Sequence, residues 1–84
     1  VTTPPVHVIG SWYVEGPKVP PYYVIEVQAP APPWAPVLRL VTHDADLYSD
    51  CLGVEGCPVA VVVSYDRVHG KNILTSVDIA GEEN

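Results

Sequence analysis

Eighty-four residues with a formal net charge of −6 make a single small domain. A chain of this length buries only about 60–65% of the surface its unfolded form exposes, so the core is modest. The acidic balance opposes nonspecific attachment to nucleic acid or anionic membrane. Ten prolines exclude long helices, and the longest apolar run, Val59–Val63, is far too short to cross a membrane as a helix.

Val1–Pro5 reads as a flexible lead-in. No leader of charged then apolar residues is visible, and the lack of any methionine argues that Val1 is not the translated start. Strand one is expected over Val6–Glu15, with Gly10 marking a bulge or sharp bend. The breaker-rich Gly16–Pro21 is a loop. Tyr22–Gln28 alternates cleanly as strand two: Tyr23, Ile25 and Val27 share the inner face, and Tyr22, Val24, Glu26 and Gln28 the outer one. Ala29–Pro36 holds four prolines, which favour polyproline II or tight turns.

Val37–Thr42 is strand three, with Leu38 and Leu40 opposite Arg39. A short helix is expected over Asp44–Leu52. Asp44 offers an N-cap oxygen, and Asp46 sits in the first turn, where the helix dipole favours an anion. Leu47 and Cys51, like Tyr48 and Leu52, are four apart and form one apolar stripe; Gly53 is the expected left-handed stop. Val59–Tyr65 is strand four, Asp66–Lys71 a turn around Gly70, and Asn72–Ile79 strand five. Residues 81–84 read as a flexible acidic tail.

Three strands, a helix and two strands, with a glycine bend in the first strand, resemble the OB-fold family, in particular its small members that bind single-stranded nucleic acid. The resemblance covers residues 6–80. It rests on Gly10, the helix at 44–52 and the closing pair PVAVVVSY and HGKNILTSVDI. It implies an all-β fold: a five-stranded Greek-key barrel with one helix between strands 3 and 4. Such barrels bind ligands across strands 2 and 3 and the loops joining strands 1–2 and 4–5.

On such a barrel, Lys18, Arg39, Arg67 and Lys71 all border that surface, with His69 between the last two. Tyr22, Trp34, Trp12 and Tyr13 are the candidate aromatic platforms, since every base offers a π-face. The parity of Val6, Val8 and Val14 argues instead for Trp12 in the core. Glu26, in mid-surface, opposes phosphate. The expected function is noncatalytic binding of single-stranded DNA or RNA, cations on phosphates and bases on aromatics. The alternative is a protein-interaction or assembly module, docking a partner chain or self-associating. Its support is the acidic balance, Glu26 and the rigid APAPPWAP loop.

Catalysis is not expected. No Ser or Cys lies in a nucleophile motif and no glycine-rich phosphate loop is present. His43, Asp44 and Asp46 read more simply as a helix start than as metal ligands, so no metal or other cofactor is implied. Cys51 and Cys57 are too few for a zinc site or a disulfide scaffold and are expected to be reduced thiols in a cytoplasmic protein, a small bridge between the helix and the entrance of strand four being the sterically conceivable alternative.

Overall fold

The computed structural model describes residues 1–80, so the expected acidic tail at 81–84 lies outside the described residues. Five strands and one helix follow in the expected order: β1 (His7–Val14), β2 (Tyr22–Gln28), β3 (Val37–Thr42), α1 (Ala45–Val54), β4 (Val61–Val68) and β5 (Lys71–Ile79). They form one sheet in the order β1-β2-β3-β5-β4. The β1–β2, β2–β3 and β4–β5 ladders are antiparallel, and β3 meets β5 in parallel at Val41 and Ile73.

The expected closed barrel is not formed. β4 is reached by the segment before β1, through isolated bridges from Thr2 to Ser64 and from Val6 to Val61. Pro4 and Pro5 lie between these bridges and have no backbone N–H, so a continuous ladder cannot run through them. The lead-in is nevertheless tied down. The Thr3 N–H donates to the Val63 carbonyl at 2.9 Å, and Val6 and Val61 exchange bonds of 2.8 and 2.7 Å.

Val6, Val8, Ile25, Val27, Leu40, Cys51, Val61, Val63 and Leu74 form the core. Val59, expected as the first residue of strand four, instead precedes β4 and is partly exposed. Helix α1 lies across the sheet, packing Leu47, Cys51 and Val54 on the core. Its N-cap is Asp44, whose carboxylate accepts from the N–H groups of Asp46 and Leu47. Two expectations fail here. Leu52 is half exposed, and its place in the stripe falls to Val54. The helix also runs through Gly53, the left-handed glycine being Gly56 at φ +73°. The Gly56 N–H donates to the Val8 carbonyl, anchoring the chain beyond the helix to β1.

The β4–β5 connection is tighter than the six-residue turn expected. His69 and Gly70 both take positive φ, +49° and +77°, the pairing of signs that a two-residue type I′ hairpin turn demands. Val68 and Lys71 close the ladder around them.

Candidate functional site

Gly10 marks the bulge expected of it, and the bulge decides which β1 side chains face outward. The ladder shifts between Val8 and Gly10, leaving Ile9 as the extra residue. Parity therefore reverses: Val8 is buried opposite Val27, but beyond the bulge Trp12 pairs with Val24 and Tyr13 with Tyr23. Trp12 thus shares the outer face with Val24, Glu26, Arg39 and Val41, against the core placement its spacing from Val6 and Val8 suggested. Tyr13 turns the other way. Its ring lies 5.3 Å from that of Tyr23, which is stacked on Tyr48 of α1 at 4.3 Å. Partial desolvation and the neighbouring Glu15 carboxylate raise the Tyr13 hydroxyl above its ordinary pKa. Tyr13 accordingly belongs to the helix side and is not a platform on the outer face.

On the outer face Glu26 and Arg39 are cross-strand partners. Arg39 donates from Nη2 and Nε to Glu26 Oε2 at 3.1 and 3.3 Å, and its guanidinium carbon sits 5.5 Å from the centre of the Trp12 ring. The cation is thereby held by a carboxylate and by the face of an indole.

Two hollows adjoin along β3. One, about 270 Å³, is lined by Val19 and Pro20 of the β1–β2 loop with Tyr22, Val41, His43, Lys71 and Ile73. The other, about 320 Å³, is lined by Val37, Leu38, Arg39, Val41, Gly70, Lys71 and Asn72. Val41 and Lys71 belong to both, so the pair makes one cleft. His43 Nδ1 lies 3.0 Å from the Pro21 carbonyl. A carbonyl only accepts, so Nδ1 carries the proton and tethers the loop to the end of β3. Asn72 Nδ2 donates to the Arg39 carbonyl at 3.2 Å, tying the hairpin to β3, while its Oδ1 is buried and has no partner among the described residues. Such an orphan costs about 1–3 kcal/mol.

The expected site residues divide accordingly. Tyr22, Arg39 and Lys71 line the cleft, and Trp12 shares its face. Lys18 is exposed in the loop beside Val19, and His69 occupies the hairpin tip. Trp34 is 82% exposed and lines neither hollow; its loop is pinned by Gln28 Nε2 donating to the Ala35 carbonyl at 2.6 Å. Arg67 is the misplaced one. It pairs with Asn72 and has the parity of Tyr65, which packs on the core, whereas Asp66 pairs with the cleft residue Ile73. Arg39 and Arg67 therefore point to opposite sides of the sheet, because Arg67 belongs to a strand and not to a turn leaning over the groove. Without it, Lys18, Arg39 and Lys71 only balance Glu15, Glu26 and Asp66.

Sequence reasoning passed over Val19, Pro20, Val41 and Ile73, and weighed His43 only as a metal ligand. The parity of Val41, opposite Leu40, was the available signal. Among the described residues no group of three or more His, Cys, Asp and Glu is placed to hold a metal ion, and no helix is long and apolar enough to cross a membrane. Cys51 and Cys57 are both free, the first buried and the second exposed. No family model matches this chain, and neither does any curated protein or any solved structure.

Proposed function

We infer that this chain is a noncatalytic binding module of OB-like design that docks a partner polypeptide in the cleft along β3. The strand order and the parallel β3–β5 contact support the OB-like reading. The observation carrying the docking reading is the cleft lining: aliphatic walls from Val19, Pro20, Val41 and Ile73 around a hollow sized for a side chain. Arg67 faces away, and Arg39 already has a carboxylate and an indole, so few cations remain for a run of phosphates. The test is selection of binding peptides from a random library, followed by mapping of amide chemical shifts. Perturbations at Tyr22, Val41, Lys71 and Ile73 are expected; binders that shift only the helix would overturn the reading.

A second reading, single-stranded DNA or RNA, is favoured by one observation: Trp12 lies on the same face as Tyr22 and the cleft cations. Titrating tryptophan fluorescence with oligodeoxythymidylate at low salt checks it. Binding would be salt-sensitive, with a slope of about −0.7 per phosphate contact. Saturable quenching with that slope would put nucleic acid ahead of polypeptide.

A further inference from the structure

The geometry points to an acidic–apolar segment as the partner: an extended peptide placing one aliphatic or aromatic side chain against Val19, Val41 and Ile73 and a neighbouring carboxylate at Lys71. This rests on the docking reading and adds the chemistry of the ligand. Charge complementarity carries it. Among the described residues, the two adjoining hollows are lined by Lys71, by Arg39 already paired with Glu26, by His43 and by no carboxylate, although the chain as a whole bears −6. The hollow between α1 and the β4–β5 pair has the opposite lining, with Asp50 and Asp78. The sign of the cleft is thus local, and it sits where the apolar walls are.

Lys71 is the residue through which the two halves of the ligand are read together. It belongs to both hollows, is exposed, and makes no ion pair among the described residues. A carboxylate there lies next to whatever side chain fills the apolar hollow. Oligonucleotide fits the cleft less well. Tyr22 and His43 meet edge to face, at 69°, so they do not form a parallel slot for a base. Arg39 lies beside the Trp12 ring, so that platform is shared with a guanidinium.

The experiment is fluorescence anisotropy with labelled peptides carrying a leucine flanked by aspartates, compared with versions having asparagine or lysine for aspartate and glutamine for leucine. Oligodeoxythymidylate is run in parallel. The aspartate–leucine peptide should bind at least about tenfold more tightly than each substituted peptide, a difference of about 1.4 kcal/mol. Lys71→Glu should remove the preference for aspartate, and Lys71→Gln should weaken it. Val19→Asp should weaken every leucine peptide. Both positions of change, Val19 and Lys71, are exposed, so circular dichroism melts should match wild type.

Equal binding of the asparagine peptide, still abolished by Val19→Asp, would overturn the acidic specificity and leave the docking reading standing. Binding of oligodeoxythymidylate but of no peptide would overturn both. Sedimentation showing self-association that Lys71→Glu abolishes would make a second copy the occupant and overturn the proposal.

Discussion

Tyr22 and Tyr23 are neighbours in one strand with opposite employment. Tyr23 is stacked on Tyr48 and flanked by Tyr13, on the side that α1 covers. Tyr22 stands at the mouth of an apolar hollow, edge-on to His43. The same division runs through the sheet. One side of β2 and β3 carries Ile25, Val27 and Leu40, all fully buried; the other carries Glu26, Arg39 and Val41 around a cleft. Because side chains alternate with period two, stability and recognition can be assigned to alternate residues of the same strands. Val24 qualifies the division. It is buried on the outer face, at the middle of a row with Trp12 and Val41, which gives that face an apolar floor.

The sharpest way to break this comparison is to truncate each side in turn. Leu40→Ala removes a fully buried side chain from the core and should cost about 2–5 kcal/mol. In a domain of this size each kcal/mol lowers Tm by about 4–8 °C. Tyr22→Ala on the other side should cost far less, within about 1 kcal/mol, while weakening peptide binding. Equal losses in urea denaturation would mean that the two sides are not energetically distinct.

The buried thiol supplies the next largest effect. Burial, with a smaller contribution from Asp50, pushes the Cys51 thiol up to about 11. The folded state therefore holds its proton more tightly than the unfolded chain, whose thiol titrates near 9 or slightly below. The resulting stability is complete below that unfolded pKa and is lost as pH rises toward about 11, at most about 2–3 kcal/mol in all. Tyrosines titrate in the same window, so the quantity to measure is the difference between wild type and Cys51→Ala. Its disappearance at high pH is expected; a pH-independent difference would remove the assignment. A thiol reagent at neutral pH should label exposed Cys57 first.

A smaller effect tests the aromatic contact that marks the helix side. A double-mutant cycle on Tyr23 and Tyr48 should give a coupling of about 0.5–1.5 kcal/mol, beyond the area each ring buries. A similar cycle on Tyr22 and His43 should give less, since those ring centres are 6.3 Å apart and those of Tyr23 and Tyr48 only 4.3 Å. Reversal of that ranking would place the stabilising aromatic contact on the cleft side.

Much of the architecture was legible because it rests on local chemistry. β2 and β3 begin and end at the residues expected, since breakers bound both and alternation is regular within them. Asp44 caps α1 as its sequence position suggested. What was not legible follows from two irregularities. The bulge at Ile9 reverses parity, so the spacing that seemed to bury Trp12 exposes it, while Tyr13 goes to the helix side. The ladder also shifts between Ser64 and Tyr65, leaving Thr75 unmatched, and the hairpin closes on two residues. Arg67, read as a turn residue, lies within β4 because the hairpin is so short, and keeps the core-side parity of Val61 and Val63. A barrel was inferred from element order, but element order does not report that Pro4 and Pro5 interrupt the closing ladder. The cleft was the least visible part, because it is built from aliphatic residues in loops and strands that composition assigns to packing.

The smallest effect on stability addresses the boundary between the two faces. Glu26 holds Arg39 at 3.1 Å, with the arginine side chain 64% exposed and the glutamate 23%. An ion pair that open to solvent is worth about 0.2–1 kcal/mol, because water screens the attraction and two long side chains must be ordered. Glu26→Gln should therefore change stability by no more than that. It should also release Arg39 from its carboxylate while leaving Trp12 beside it, adding an available cation to the cleft. Affinity for the aspartate–leucine peptide should rise severalfold, and Arg39→Gln in the same background should cancel the gain. The measurement pairs urea denaturation with anisotropy. If Glu26→Gln instead costs well over 1 kcal/mol and leaves peptide affinity unchanged, the ion pair is a bracket between β2 and β3, and the outer face contributes to stability as the helix side does.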